Sequence, residues 1–443
     1  DYGDILLMPV TGEPHTDNGH PDRPDAGYAS RFRKTTERAA AGWYAVRLED
    51  YGVDVELTAT PRTGLHRYML PAGRPAHVVV DLTHRDELLD AGLAVADTRT
   101  LDGFRRSRHW AQDQLVYFRA VFSRPFTASR LVSDDRGRAV KAVLSFGDQG
   151  GELLVQVGIS AVDAAGAQAN LAAEWADFDF AAVRARARAA WAEVLAPFAV
   201  EGADDADLTV FASALYHSFI APNLFSDVDG RYRGMDLQVH RAEGRDQYTV
   251  YSLWDTYRAT HPLFTLVQRA RTRDFAATML AQYSDGGRLP VWELAANETE
   301  CMIGYHSVSV IADAWVKGIR DFDAELALEA MVHSATLDHF GLDAYQRQGF
   351  IDAVDEHESV SKTLEYAYDD WCIARMAEAL GKREIVDEFD RRAQGWRHLF
   401  DPRTGFMRPR ENGGWMTPYD PRRVDFHHTE SNGWQYRFAV PHD

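Results

Sequence analysis

The feature that most constrains the fold is a change of residue pattern near residue 164. Before it, apolar and polar residues alternate in short runs at 53–57, 115–122 and 153–159. Such alternation is typical of β-strands with one buried face. Turn clusters rich in Gly and Asp, such as 147–151, separate the runs. Many short strands with turns between them predict an antiparallel β-sandwich.

After residue 164 the chain becomes rich in alanine and then helical in pattern. One set of apolar residues recurs at helical spacing: Phe180, Val183, Ala187, Trp191 and Leu195. We expect linker helices between residues 165 and 200. Segments with a 3.6-residue apolar period follow near 206–220, 254–283, 306–319, 322–340, 360–381 and 383–399.

Strands first and helices afterwards predict an α+β protein with segregated domains. We place an N-terminal antiparallel β-sandwich at 1–165, linker helices at 166–203 and part of an (α/α)6 barrel at 204–443. A helical solenoid is an alternative for the last part. The absence of a fixed repeat period in the sequence disfavours it.

Charge and hydropathy exclude two classes of partner. The chain carries 48 Lys and Arg against 67 Asp and Glu, a net charge of −19. Such a surface repels phosphate backbones, so we expect no nucleic-acid partner. No segment approaches the ~20 apolar residues that span a bilayer, so we expect no membrane insertion.

A polar and aromatic segment at 251–258 contains Trp254 and Asp255 beside two tyrosines and an arginine. Aromatic rings stack on the C–H faces of sugars, and carboxylates accept hydrogen bonds from sugar hydroxyls. This composition is therefore typical of a carbohydrate site. The alternative is an N-capping Asp255 beside core aromatic residues.

Two further segments are dense in carboxylates. The loop at 287–306 holds three of them with Trp292 and His306, ahead of an apolar helix, which predicts polar groups where a substrate can reach them. Helix capping could account for one of these carboxylates but hardly for all. The segment at 356–371 lacks HExxH spacing, so zinc is not expected, and its Glu365, Asp369 and Asp370 are interpreted as capping or inner-ring polar groups.

The segment at 425–436 concentrates two histidines, two carboxylates, two amides, Trp and Tyr in twelve residues. Hydrolysis of a glycosidic bond requires one carboxylic acid that protonates the leaving oxygen and a second carboxylate that activates water or attacks. Glu430, at the mouth of an expected helix, is the best candidate for the acid. The alternative is that Glu430 lies in an ordinary surface turn.

Five blocks, in one order along the whole chain, resemble glycoside hydrolase family 92, the calcium-dependent exo-acting α-mannosidases. They are Tyr-Gly-Asp-Ile-Leu-Leu-Met-Pro at 2–9, Ser-Leu-Trp-Asp-Thr-Tyr-Arg at 252–258, Asn-Glu-Thr-x-Cys-Met-Ile-Gly-Tyr-His at 297–306, Ser-Lys-Thr-Leu-Glu-Tyr-Ala-x-Asp-Asp-Trp at 361–371 and Trp-Gln-Tyr-x-x-x-Val-Pro-His-Asp at 434–443. The resemblance implies a β-sandwich followed by an (α/α)6 barrel.

The resemblance also implies a mechanism and a cofactor. Inversion at the anomeric carbon implies two carboxyl groups about 6.5–9.5 Å apart with a water between one of them and the sugar. A calcium ion that binds the 2- and 3-hydroxyls of mannose fits the preference of this cation for oxygen ligands.

Carried over to this chain, the family motifs assign roles to individual residues. The resemblance implies that Glu430 is the general acid, with Glu298 as the other catalytic candidate. Residues that match positions around the mannose pocket are Trp254, Asp255, Met302, His306, Trp434 and Gln435. Calcium ligands are expected in the Gln435 region and beyond residue 443.

The chain also departs from the family pattern. The family's opening stretch does not precede residue 2, and family sequences continue past residue 443 through segments that contribute to the calcium site and supply the catalytic base. We therefore expect an internal segment of a longer enzyme, with the remainder of the same polypeptide as its partner. The segment alone is expected to be inactive.

The expected function is hydrolysis of terminal α-linked mannose, α-1,2 before other linkages, from N-glycans or mannan outside the cytoplasm: secreted, cell-surface or periplasmic. Family members that cleave mannosyl-phosphate diesters replace the acid with Gln, so Glu430 favours an ordinary glycosidic leaving group. Three alternatives are a mannosyl-phosphate diester hydrolase, a non-catalytic mannan-binding protein, and another (α/α)-barrel hydrolase or phosphorylase acting on glucosides without calcium.

Overall fold

The computed structural model describes residues 3–20, 23, 26–174, 177–202 and 204–443. Tyr2 of the first motif lies outside the described residues. The chain forms two compact units. The first contains the described residues up to Arg233 together with Val239–Gln247, and the second contains Gly234–Gln238 together with Tyr248–Asp443.

The first unit is built on two antiparallel sheets. Their strands are β1 (Leu6–Thr11), β2 (Arg38–Ala40), β3 (Trp43–Leu48), β4 (Val53–Ala59), β5 (Thr63–Leu70), β6 (Ala76–Asp81), β7 (Glu87–Asp97), β8 (Thr100–Arg108), β9 (Gln114–Phe122), β10 (Ala128–Ser133), β11 (Ala139–Ser145) and β12 (Gly151–Ser160). One sheet has the order β1-β6-β11-β10, and the other has the order β2-β3-β4-β5-β12-β9-β8-β7.

The core of this unit lies between the two sheets. Alternate residues of β9, Phe118 and Phe122 among them, are buried, as are Val78 and Val80 of β6. These side chains belong to one apolar cluster that draws on both sheets. The period-two pattern therefore produces two facing layers, and the predicted β-sandwich is confirmed.

Three helices complete the first unit: α1 (Ala164–Glu174), α2 (Phe180–Leu195) and α3 (Asp205–Ser218). The α2 residues Phe180 and Val183 pack with Leu65 and Leu154 of the eight-stranded sheet. The rings of Trp191 in α2 and Tyr216 in α3 are 4.4 Å apart. This ring contact joins α3 to α2. Ion pairs of Arg231 with Asp163 and of Arg233 with Asp113 attach the residues that follow, and the first unit extends past the domain boundary expected at residue 204.

The second unit is mainly helical. Its helices are α4 (Leu253–Thr256), α5 (Thr260–Val267), α6 (Arg269–Gly286), α7 (Ser307–Val316), α8 (Ala324–Ser334), α9 (Leu342–Gln348), α10 (Ser359–Ala379), α11 (Arg383–Arg392) and α12 (Gly433–Tyr436), with a 3₁₀ turn at Gly395–His398. Short strands are β13 (Asn223–Leu224), β14 (Arg231–Arg233) and β15 (Val239–Arg241) in the first unit, and β16 (Tyr248–Thr249), β17 (Tyr251–Ser252), β18 (Trp292–Leu294), β19 (Asn297–Glu298), β20 (Phe400–Asp401), β21 (Phe406–Met407), β22 (Arg410–Glu411) and β23 (Gly414–Trp415) in the second.

The 21-residue helix α10 is the centre of the second unit. Most of its residues are buried, because α7, α8 and α11 pack around it. The predicted helix at 254–283 is instead three helices. Gln268, with φ −132° and ψ 47°, interrupts it between α5 and α6.

The strand-then-helix order confirms the α+β class, while closure of the helices into an (α/α)6 ring stays a prediction. In the part of the chain that the structure describes, no helix has the length and apolar character needed to cross a bilayer.

Candidate active site

A cavity of about 450 Å³ lies in the second unit, within the range of about 300–1,000 Å³ typical of small-molecule sites. Its lining is Trp254, Asp255, Tyr257, Arg258, Glu365, Thr429, Glu430, Ser431, Gln435, Tyr436, Phe438 and Ala439. Four residues selected from the sequence, Trp254, Asp255, Glu430 and Gln435, therefore meet at one cavity. They come from two chain segments 175 residues apart, counted from 255 to 430.

Helix α4 supplies one side of the cavity. It follows directly on β17, which pairs with β18, so the start of the helix is anchored. Trp254 is partly buried and Asp255 is exposed. The Ser252 hydroxyl donates a hydrogen bond to the Asp255 carboxylate, and Thr256 donates to the Ser252 carbonyl at 2.9 Å. The side chain of the N-cap residue, Ser252, makes no capping hydrogen bond, and Asp255 lies within the helix, so Asp255 is not its N-cap. Trp254 and Asp255 both line the cavity.

The segment at 425–436 supplies the opposite wall. The His427 carbonyl accepts the backbone N–H groups of Val360 and Ser361 at 3.2 Å, and the Ser361 hydroxyl accepts the Thr429 N–H at 2.8 Å. These bonds fasten the segment to the first turn of α10. The Asn432 side chain caps α12 by accepting the Gln435 N–H at 3.1 Å.

Glu430 lies between these two anchored points. It is exposed, and its φ of +49° is in the left-handed region that non-glycine residues rarely occupy. Strained residues of this kind are concentrated at functional sites. Among the described residues, no side chain donates a hydrogen bond to the Glu430 carboxylate, so it is available to a ligand in the cavity.

Glu365 of α10 is the buried carboxylate of the cavity, with 5% of its surface exposed. The Tyr257 hydroxyl donates to its Oε2 at 2.8 Å, and the Trp254 indole N–H donates to its Oε1 at 3.4 Å. Burial and the Glu365 charge raise the pKa of Tyr257, so its hydroxyl keeps the proton that it donates.

His306 stands behind this wall and is 1% exposed. Its Nδ1 is 2.8 Å from Asp369 Oδ1, and its Nε2 is 3.4 Å from Glu365 Oε2. Its ring stacks on Tyr257 with centroids 3.8 Å apart. Burial alone would lower the pKa of His306, but the charges of Asp369 and Glu365 more than offset it and raise the pKa.

Glu298, the second catalytic candidate, is engaged within its own loop. Its two oxygens accept the backbone N–H groups of Val291 at 2.8 Å, Trp292 at 2.9 Å and Glu300 at 2.9 Å. These three bonds hold together the open end of the hairpin, where the chain enters β18 and leaves β19. Such bonds favour a structural role, while a catalytic role for Glu298 stays a prediction.

Four predicted residues are not in the cavity lining: Glu298, Met302, His306 and Trp434. Met302 is partly buried in a left-handed backbone conformation, with φ +73°. Trp434 is 51% exposed, and its ring is 5.5 Å from that of Phe406. Their roles in substrate binding stay predictions.

The charges of two cavity residues nevertheless act on Cys301, the neighbour of Met302. Partial burial raises the pKa of the Cys301 thiol, and the charges of Glu430 and Asp255 add to the rise. Glu365, Tyr257 and Arg258 line the cavity but were not predicted as site residues. The signal for Glu365 was its four-residue spacing from Asp369, which places two carboxylates on one face of α10. Tyr257 and Arg258 belong to the polar and aromatic segment at 251–258.

Across the residues that the structure describes, no group of three or more His, Cys, Asp or Glu side chains is arranged to hold a metal ion. The Gln435 amide oxygen at the cavity accepts the Ser431 hydroxyl at 2.9 Å. Calcium binding in the Gln435 region stays a prediction.

The chain matches two protein-family domains, which together extend over nearly its whole length. Residues 166–443 match the glycosyl hydrolase family 92 catalytic domain, and residues 1–160 match the glycosyl hydrolase family 92 N-terminal domain. A curated relative from Arthroderma benhamiae, described as an uncharacterized secreted glycosidase, is 26% identical over 432 residues, which are 85% of this chain and 51% of the relative.

Three solved structures of two proteins from Bacteroides thetaiotaomicron are similar to this chain over nearly all of its length. A family GH92 α-mannosidase has a TM-score of 0.95 at 39% identity and is covered over 62% of its length. Its complex with mannoimidazole gives the same TM-score at 38% identity. A family GH92 inverting mannosidase has a TM-score of 0.90 at 30% identity, covering 99% of this chain and 61% of that one.

The chain thus spans about half the length of the curated relative and about three-fifths of these mannosidases. Matches to both domain models together extend over nearly every residue, in the order that the five sequence blocks predicted. The chain belongs to glycosyl hydrolase family 92.

Proposed function

We propose that the chain contributes to an exo-acting, inverting, calcium-dependent α-mannosidase. The proposed substrate is terminal α-linked mannose of N-glycans or mannan, with α-1,2 linkages first. The observation that carries this proposal is the meeting of Glu430, Trp254 and Gln435 at one cavity in a family 92 chain. The mannoimidazole complex of a relative supports the substrate class.

In the proposed reaction, the Glu430 carboxylic acid donates its proton to the glycosidic oxygen as the bond to the anomeric carbon breaks. A water attacks that carbon from the opposite face and loses a proton to a second carboxylate, which gives inversion. The Glu430 carboxyl is exposed, and no side chain among the described residues donates a hydrogen bond to it, so it can reach a glycosidic oxygen in the cavity. The base is proposed to lie beyond residue 443, as the resemblance implies.

Trp254 and Asp255 are proposed to bind the terminal mannose. The indole offers an apolar face to the C–H groups of the ring, and the Asp255 carboxylate can accept hydrogen bonds from hydroxyls. Calcium ligands are proposed in the Gln435 region, as the resemblance implies. Calcium dependence is proposed from the family resemblance, with the remaining ligands outside these residues.

The test is hydrolysis of α-linked mannobioses by the full-length protein, first with calcium and then with a chelator, with the released anomer followed by NMR. The 443-residue chain is assayed beside it. We expect initial release of β-mannose by the full-length protein, loss of activity on chelation, and no turnover by the chain alone. Turnover by the chain alone would refute the placement of the base.

Two other outcomes point to different functions. Cleavage of a mannosyl-phosphate diester but of no mannobiose would indicate a phosphodiester substrate. Binding of mannan without cleavage would indicate a non-catalytic binding protein.

We also propose a secreted, cell-surface or periplasmic location, which is supported by the secreted glycosidase from A. benhamiae. Fractionation of the source cells tests it.

A further inference from the structure

We propose that Glu365 is a positioning residue of this site: its carboxylate, paired with the His306 ring that Asp369 orients, fixes the side chains of Trp254 and Tyr257 in the cavity wall. The inference rests on the proposed function for its effect on catalysis. Its structural part is independent of that function, since it concerns the order of the Trp254 ring in the protein itself.

Both oxygens of the Glu365 carboxylate accept hydrogen bonds from side chains of the cavity wall. Oε2 accepts the Tyr257 hydroxyl at 2.8 Å, and Oε1 accepts the Trp254 indole N–H at 3.4 Å. The two donors are three residues apart at the end of α4, while the acceptor is on α10. One carboxylate therefore joins the two elements, and the direction of the indole N–H fixes the rotation of the ring.

The His306 ring lies where it can compensate the charge of the buried Glu365 carboxylate. A buried carboxylate is costly unless it is paired and hydrogen-bonded. His306 Nε2 is 3.4 Å from Glu365 Oε2, close enough for an ion pair, although the geometry does not make a hydrogen bond. The His306 ring is stacked on Tyr257, so the imidazole contacts both the carboxylate and one of the side chains that donate to it.

Asp369 orients the His306 ring. Asp369 Oδ1 is 2.8 Å from His306 Nδ1, and Asp369 Oδ2 accepts the Tyr305 backbone N–H at 2.8 Å. A carboxylate at one ring nitrogen sets which way the ring faces. Glu365 and Asp369 are four residues apart on α10, so one helix face holds the imidazole between two carboxylates.

The consequence is a wall that is ordered before the sugar binds. A Trp ring free to rotate would lose that freedom on binding, and the loss would weaken affinity. Because Glu365 restrains Trp254 in advance, its removal should weaken binding more than it slows the chemical step. This separates it from Glu430, whose proton takes part in the reaction.

The structural test uses NMR of the 443-residue chain labelled with ¹⁵N in its tryptophan indoles. Trp254→Phe identifies the Trp254 resonance by its disappearance. We expect Glu365→Gln to shift or broaden that resonance. Glu378→Gln, the same substitution on α10 at a side chain 62% exposed, should leave it unchanged. An unchanged Trp254 resonance in folded Glu365→Gln would overturn the proposal.

Two further variants guard against misfolding and test the relay. Tyr257→Phe keeps the ring and removes one donor, so it serves in place of Glu365→Gln if that variant does not fold, and a change at Trp254 is again expected. Asp369→Asn should move the Trp254 resonance in the same direction by a smaller amount. No change in Asp369→Asn would remove His306 and Asp369 from the proposal.

The kinetic test uses the full-length protein. Glu365→Gln should raise KM about tenfold and lower kcat less than about threefold, as expected for a lost binding interaction. A fall of about a hundredfold in kcat at unchanged KM would make Glu365 a participant in the chemistry and overturn the positioning role. If the wild-type protein hydrolyses no mannoside, the proposed function fails, and the NMR result still decides the inference.

Discussion

Two segments of the second unit, residues 287–306 and 425–436, both contain carboxylates beside Trp, Tyr and His but use those carboxylates differently. Glu298 in the first accepts three backbone N–H groups of its own loop. Glu430 in the second is exposed at the cavity. A carboxylate whose oxygens are occupied holds structure, whereas one without internal donors can meet a substrate. The difference lies in the available oxygen lone pairs, which composition does not reveal.

The largest expected effect is at Glu430. Glu430→Gln keeps the shape of the side chain and removes its proton, so kcat for an unactivated mannobiose should fall by about 10²–10⁴. Steady-state release of mannose by the full-length protein measures this. Glu388→Gln on the exposed face of α11 is the control and should retain activity. Full activity in Glu430→Gln would break the comparison, since it would leave the exposed carboxylate without a role.

The next largest effect is on stability, at a carboxylate with internal partners. Asp370 accepts Arg392 Nε at 2.9 Å and the Tyr305 hydroxyl at 2.7 Å. Asp370→Asn leaves the buried Arg392 without its counter-charge and should cost about 3–5 kcal/mol of unfolding free energy. Urea denaturation of the chain measures this.

The control for Asp370 is a surface ion pair. Asp343 and Arg347 of α9 are paired with side chains 63% and 56% exposed. Asp343→Asn should change stability by less than about 1 kcal/mol. Equal effects at the two positions would show that burial does not decide the contribution of these carboxylates.

Glu298→Gln sharpens the comparison directly. Its amide N–H₂ would face backbone N–H donors that now meet an oxygen, so we expect a loss of about 1–2 kcal/mol in stability. Mannose release should stay within about threefold of wild type if the role is structural. A loss of activity as large as that of Glu430→Gln would instead give Glu298 a catalytic role.

The last prediction concerns the pH dependence of stability. Burial raises the pKa of Glu293 from 4.5 to about 8. Because the folded value is the higher one, the folded state binds the proton more tightly. This contribution is complete below about pH 4.5 and is lost as the pH rises through about 8. Glu293→Gln should flatten the decline in unfolding free energy over that range, and an unchanged slope would contradict the assignment.

Much of the fold could be predicted from local pattern. The alternation at 115–122 became β9 and that at 53–57 became β4, because one face of each strand is buried. The break at Gln268 could not be predicted, since Arg269 and its neighbours continue a helical pattern and a tertiary turn overrides it. The attachment of α3 to α2 likewise depends on a ring contact between separate helices.

The candidate site was predictable where a motif places several polar residues together, as at Glu430 and Gln435. Glu365 was not selected, although its spacing from Asp369 carried a signal. Like charges four residues apart destabilise a helix unless a cation compensates them. That rule predicts a cationic partner, and His306 is the residue that fills the place. Which distant residue does so is a tertiary fact that the sequence pattern alone does not contain.

The left-handed backbone at Glu430 sets selection for stability against selection for activity. A β-carbon in that conformation costs about 1–2 kcal/mol, which glycine would not incur. A library screened only for thermostability should therefore enrich Glu430→Gly and lose the proposed acid, whereas a screen for mannose release should restore Glu at that position. A library designed to raise the thermostability of this protein should therefore leave Glu430 unchanged.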